Sequence, residues 1–214
     1  MAKDPLSPFN PAVQQWFRSA FGEPTRAQAL AFGPITRGES TLLLAPTGSG
    51  KTLAAFLAAL DKLAFGAEPP KGARCRVLYV SPLKALAVDI ERNLRAPLAG
   101  IVETAKRRGE SVRVPTVDLR TGDTLAADRA RMVRTPPDVL ITTPESLYLL
   151  LTSNARCLLA SVETIIVDEI HALVGSKRGA HLFLSLERLE MLRPGSGCKL
   201  QRIGLSATQR PLEE

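Results

Sequence analysis

Short continuous apolar runs alternate along this chain with longer stretches whose apolar positions repeat at helical spacing. Residues 41–45, 76–80, Val139–Thr142, Thr164–Val167 and 201–205 are runs of the kind found in strands buried on both faces, and residues 112–119 are a sixth, less regular candidate. Between them, Lys51–Phe65 carries Leu53, Phe56, Leu57, Leu60 and Leu63 on one helical face, and residues 83–94, 124–133, Pro144–Leu151 and 180–192 have the same periodicity. Two more helical segments, 11–20 and 25–37, separated by Phe21-Gly22-Glu23-Pro24, come before the first strand. Residues 1–38 therefore read as a helical lead-in and residues 39–214 as a series of strand–helix units. Parallel neighbours need crossover connections, so the expected fold is α/β, a mostly parallel sheet with helices on both faces.

In such a sheet ligands sit beyond the carboxyl ends of the strands. The unusual polar clusters, at 46–52, 81–84, 121–124, 142–146, 168–171 and 206–208, all fall where a predicted strand ends. Composition narrows the choice further. With 45% hydrophobic and 23% charged residues among 214, the chain is neither disordered nor fibrous. It has no apolar stretch of membrane-spanning length and no signal-peptide pattern at its start. Cys75, Cys157 and Cys198 lie far apart, giving neither zinc-ligand spacing nor a disulfide framework, and a cytoplasmic setting is the expectation. The net charge of +7 is not spread evenly: residues 71–134 hold 14 basic and 7 acidic side chains, and the remainder balances. That regional surplus suits a polyanionic partner, although any single arginine in it also suits a solvated face.

Ala45-Pro46-Thr47-Gly48-Ser49-Gly50-Lys51-Thr52 follows the phosphate-binding P-loop pattern, with Ala45 in place of the first glycine. Small residues at Thr47, Gly48, Ser49 and Gly50 let backbone N–H groups converge on phosphates, the following helix adds positive potential, Lys51 neutralises charge and Thr52 offers a hydroxyl to Mg²⁺. The run 164–167 ends in Asp168-Glu169-Ile170-His171, a pair of carboxylates suited to holding the metal (Asp168) and orienting or deprotonating an attacking water (Glu169). ATP with Mg²⁺ is the ligand this combination implies.

Read in order, Pro24-Thr25-Arg26-Ala27-Gln28, the P-loop, Ser81-Pro82-Leu83-Lys84-Ala85-Leu86, Thr121-Gly122-Asp123, Thr142-Thr143-Pro144-Glu145-Ser146, Asp168 to His171 and Ser206-Ala207-Thr208 resemble the motifs of the first RecA-like domain of a superfamily 2 helicase. Trp16-Phe17, Leu53-Ala54-Ala55-Phe56-Leu57, and Gly175-Ser176-Lys177-Arg178-Gly179-Ala180-His181-Leu182 followed by Leu186-Glu187-Arg188-Leu189 are similar to the large helicase-related (Lhr) family. The resemblance implies an ATP-dependent translocase moving 3′ to 5′ on single-stranded DNA, with links to repair. It assigns Gln28 to adenine, with Phe9 as a candidate stacking partner beside an equally good packing role. It assigns Ser81, Pro82, Lys84, Thr121, Gly122, Thr142, Thr143 and Pro144 to the sugar–phosphate backbone of one strand, where helix capping is the competing role of the hydroxyls. Ser206 and Thr208 are implied to couple hydrolysis to grip, with His171 as relay, while packing or capping is expected of His181. The family also has a second RecA-like domain that supplies arginine fingers. None of the arginines here corresponds to one, so the 214-residue piece is expected to bind nucleotide weakly and to hydrolyse it poorly. An RNA helicase or remodeller, or a non-catalytic nucleic-acid-binding module, are the alternatives. A small-molecule kinase leaves the charge surplus unexplained.

Overall fold

A computed structural model describes residues 4–193 and 199–207. Six parallel strands, β1 (Thr41–Leu44), β2 (Val77–Val80), β3 (Val117–Arg120), β4 (Val139–Thr142), β5 (Thr164–Val167) and β6 (Gln201–Ser206), lie in the order β1-β6-β5-β2-β4-β3. Helices α1 (Pro11–Phe21), α2 (Arg26–Thr36), α3 (Lys51–Phe65) and α4 (Lys84–Arg107) pack against one face. Helices α5 (Ala126–Arg134), α6 (Pro144–Leu151) and α7 (Lys177–Met191) cover the other. Alternation within a strand divides the core: Val77 and Tyr79 point to the first layer, Leu78 and Val80 to the second. The lead-in is not a separate body. Phe9, Val13, Trp16, Phe17 and Phe32 bury in the same cluster as Phe56, Tyr79 and Ile166, and α1 lies so close to α4 that a methyl group on Gly100 would come 2.1 Å from Trp16 Nε1.

Two element boundaries differ from the sequence expectation by five residues or more. Helix α4 continues past residue 94 through Pro97 to Arg107, because Leu94, Leu98, Ile101 and Ala105 keep burying one face and offset the bond that proline removes. Strand β3 begins at Val117, not 112: Arg113 N–H donates to Ala64 O (2.9 Å) and its guanidinium to Leu63 O, which ties this stretch to the end of α3.

At the amino edge of the sheet Asp138 is fully buried. It accepts from Thr116 N–H (2.8 Å), the Thr116 hydroxyl (2.9 Å) and Arg113 (2.7 Å). Burial pushes its carboxyl up, but these donors outweigh it and leave the group below its ordinary value. A depressed carboxylate contributes stability above its unfolded pKa of about 3.9 and loses it as pH falls through the folded value. Asp138→Asn is therefore expected to cost about 3–5 kcal/mol at pH 7. Urea unfolding at pH 7 and below pH 4 checks this, and the difference from the parent should shrink in acid.

Candidate nucleotide and nucleic-acid site

Beyond the carboxyl end of β1 the chain turns through the P-loop into α3. Gly48 and Gly50 have φ of 82° and 79°, and a Cβ on Gly50 would meet Gln28 Nε2 at 2.3 Å, so backbone conformation and contact both require glycine there. Lys51 Nζ donates to the carbonyls of Ala45 (2.5 Å) and Pro46 (2.8 Å), which folds its charge over the loop. The Thr52 hydroxyl enters no side-chain hydrogen bond with the described residues. Thr25 caps α2 in a capping box: it accepts from Gln28 N–H (3.3 Å), and Gln28 Oε1 accepts from Thr25 N–H (3.0 Å). The Thr25 hydroxyl donates to Ser49 O (2.8 Å) and Gln28 Nε2 to Gly50 O (3.3 Å). Gln28 is thus a buried brace of the P-loop, with both amide atoms engaged.

A cavity of about 580 Å³ opens beside this loop, lined by Phe21, Gln28, Gly48, Gly50, Thr52 and Pro97 among others. The sequence reading missed Phe21, which is 55% exposed and is the aromatic face in this cavity. Phe9, named above as a candidate stacker, is instead buried edge-on against Phe32 at 4.9 Å and packs in the core.

Strand β6 lies between β1 and β5, so its last residue, Ser206, stands between the P-loop and the acid pair; Ala45 N–H donates to Ser206 O (3.3 Å). Asp168 is 8% exposed; Oδ1 accepts from Glu169 N–H (2.9 Å) and Oδ2 accepts a short bond from the Tyr79 hydroxyl. Tyr79 is fully buried on β2 with its ring stacked on Phe56 at 5.1 Å, and burial first, then the Asp168 charge, pushes its hydroxyl pKa far up, which keeps it a donor. One signal for it exists in the sequence: a tyrosine in a fully buried strand needs a partner for its hydroxyl. Tyr79→Phe is expected to lower stability by about 1–3 kcal/mol by leaving a buried carboxylate oxygen short of a donor. Urea unfolding measures it, and an unchanged midpoint would count against this role.

Glu169 has φ 48°, the only non-glycine with positive φ among the described residues, a conformation that typically costs about 1–3 kcal/mol. The bend lets consecutive acids share one strand end. Its Oε2 is 3.3 Å from His171 Nε2, and His171 Nδ1 is 3.2 Å from Ser206 Oγ, whose proton is directed to Ala207 O (3.0 Å). A continuous polar chain, Glu169–His171–Ser206, therefore joins β5 to β6. Thr208 lies outside the described residues. His181 packs on Tyr148 at 4.5 Å, as expected of it.

The candidate strand contacts gather at the carboxyl ends of β2, β4 and β3, neighbours in the sheet. Their hydroxyls, however, turn inward. Ser81 donates to Leu83 O (3.1 Å), Thr142 to Arg120 O (2.8 Å) and Thr143 to Ser146 Oγ (3.2 Å), while Thr121 accepts from Asp123 N–H (3.3 Å); all four residues are buried. Their role in the structure is to brace the loops, and Pro144 opens α6 beside the Thr143 cap. Of the candidate strand contacts, Lys84, held by both oxygens of Asp123 at 2.9 Å, and Gly122 are exposed, while Pro82 is buried.

A DEAD/DEAH box helicase family model matches residues 25–214. The chain belongs to that family. It is 59% identical over 212 residues to the Lhr helicase/probable uracil glycosylase of Mycolicibacterium smegmatis, covering 99% of this chain and 14% of the relative. It is 55% identical to the Lhr helicase/uracil glycosylase of Escherichia coli, covering 94% and 13% respectively. The structure of Mycobacterium smegmatis helicase Lhr bound to ssDNA and AMP-PNP aligns with a TM-score of 0.89 at 58% identity, over 98% of this chain and 26% of that one. The RecA-like fold and the Lhr resemblance read from the motifs both hold: the chain is a DEAD/DEAH helicase domain with close relatives among the Lhr helicases, and it spans about one seventh of the length of those two curated relatives. Among the described residues no helix is long and apolar enough to cross a membrane.

Proposed function

We propose that this chain is the ATP-binding half of a motor that moves 3′ to 5′ along single-stranded nucleic acid, DNA in preference to RNA, in DNA repair in the cytoplasm. The observation that carries the reading is the arrangement of the one sheet edge. The P-loop, the acid pair and the loops after β2, β4 and β3 share it, and the chain Glu169–His171–Ser206 links the ends of β5 and β6 within it. The Lhr relative held with ssDNA and AMP-PNP supports the choice of ligands.

In this reading the P-loop N–H groups and Lys51 hold the phosphates, and Phe21 is the apolar plate for the base. Gln28 acts on the nucleotide through its hold on Gly50, and its amide reaches the base once that bond is exchanged. Thr52 and Asp168 fit Mg²⁺, a small cation that binds one or two protein oxygens and completes its shell with phosphate and water. The free Thr52 hydroxyl and the remaining lone pairs of Asp168 match that demand, and the metal would supply charge neutralisation at the phosphates. Glu169 orients the attacking water, and His171 links it to Ser206 of the coupling motif. Lys84, Gly122 and the loop N–H groups meet the strand backbone. A second RecA-like domain in the longer protein supplies the transition-state arginine. Filter binding of matched DNA and RNA single strands at several salt concentrations, with calorimetric ATP titration, tests the reading: DNA retention that falls with salt, and heat with ATP, are the expected results. Stronger RNA retention would move the substrate to RNA, and no heat with ATP would remove the nucleotide reading altogether.

A further inference from the structure

The sequence places its positive surplus between residues 71 and 134, but most of those charges are already paired, and several lie away from the candidate site. At the amino edge of the sheet Arg74 and Arg113 pair with Asp138, and Arg76 pairs with Glu163. Along α4, Arg95 and Arg107 pair within the helix, and Arg108 just beyond it pairs with Glu110. Arg131 is held by Asp118, and even Lys84, at the right edge, is neutralised by Asp123. Two arginines at the carboxyl end of β3 differ. Arg120 ends the strand and immediately precedes Thr121-Gly122; it is only 9% exposed, has no carboxylate partner among the described residues, and its Nη1 is buried without any hydrogen-bond partner. Arg129, on α5, spends its guanidinium on two neutral carbonyls of the same loop, Gly122 O (2.7 Å) and Thr124 O (2.8 Å).

We propose that Arg120 and Arg129 form a binding pair for one phosphate of the single-stranded backbone, and that this pair is the source of positive charge at the strand edge. The inference rests on the strand-binding reading above and names the groups that perform it. A buried cation with an unmet donor, beside a second cation and no acid, is costly unless an anion completes it. Burial, and next the charge of Arg129, pull the Arg120 guanidinium below its ordinary value, the sign of a pair that lacks its counter-charge. A phosphodiester supplies what is missing: a single negative charge with several acceptor oxygens, contacted without regard to base. The loop geometry agrees, since Gly122 is exposed, lies between the two arginines in sequence and has its carbonyl held by Arg129.

The test is fluorescence anisotropy of a labelled oligo-dT on the chain from 50 to 300 mM NaCl, with Arg120→Gln, Arg129→Gln, Arg120→Lys and, as a control on α4, Arg107→Gln. Each Gln variant at the pair is expected to weaken binding at 50 mM salt by about tenfold and to reduce the slope of log K against log[salt] by about 0.7 per lost phosphate contact. Arg120→Lys should keep the slope, and Arg107→Gln should match the parent. The melting temperature of Arg120→Gln should equal or exceed the parent's, because an unpaired buried charge has been removed. A lower melting temperature with an unchanged slope would make Arg120 a structural residue and overturn the proposal, as would unchanged slopes in both Gln variants. If the parent chain itself shows no salt-dependent binding of the oligonucleotide, the strand-binding reading falls and the pair falls with it.

Discussion

In a protein that joins this chain to a second RecA-like domain, replacing Lys51 with alanine is expected to lower ATP turnover by at least about 10²–10³-fold, the usual cost of removing a preorganised charge aimed at a transferring phosphoryl group. The fold should barely notice. Among the described residues Lys51 Nζ bonds only the Ala45 and Pro46 carbonyls of its own loop, so stability should change by about 1 kcal/mol or less. Among the described residues nothing acidic holds the ammonium, and exchanging two neutral carbonyls for phosphate oxygens is a gain that the side chain can make by rotating. Calorimetric titration with ATP should show the affinity falling along with turnover. Lys51→Arg should not restore it, because a broad planar guanidinium cannot take the place of a compact ammonium inside a loop closed by Gly48 and Gly50. A variant that kept parental affinity and turnover would show that the loop grips its ligand without the lysine, and the nucleotide reading would have to rest on the backbone alone.

What could be read from the sequence was what local spacing encodes. Val139–Thr142 and Thr164–Val167 have the boundaries their apolar runs suggest, because a strand covered on both faces has no polar position to blur its ends. The P-loop was legible for a similar reason: its chemistry needs eight consecutive residues. The parts that needed tertiary structure were hidden. The donor on Asp168 is Tyr79, 89 residues away on another strand, and no spacing rule joins them. The inward turn of the Thr142 hydroxyl depends on the register of β3 against β4, which brings Arg120 opposite Thr142. Phe9 and Phe21 are equally aromatic on paper. Only the packing of α1 on α4 leaves the second one open to the cavity. The basic surplus was visible as a count, yet which cations stay unpaired depends on where every acid ends up.

Glu169→Gln is expected to separate binding from chemistry. Turnover should fall by about 10²–10⁴-fold, the contribution of a positioned general base, while ATP affinity stays within about twofold of the parent. The separation follows from geometry. The substituted residue can keep the bend at φ 48°, with its backbone N–H still on Asp168 Oδ1, and the hydrogen bond from His171 to Ser206 does not pass through the changed group. What is lost is the negative charge 3.3 Å from His171 Nε2 and the only acid on this turn besides Asp168. Removing an anion from beside a triphosphate cannot weaken its binding by charge, so calorimetry on this variant should give near-parental affinity where Lys51→Ala gives a reduced one. Single-turnover measurement with radiolabelled ATP reads the chemical step directly. If turnover in Glu169→Gln stays near the parental value, the base is elsewhere, and the strained turn at the end of β5 would need another explanation; if affinity collapses as well, Glu169 belongs with Asp168 in holding the metal rather than the water.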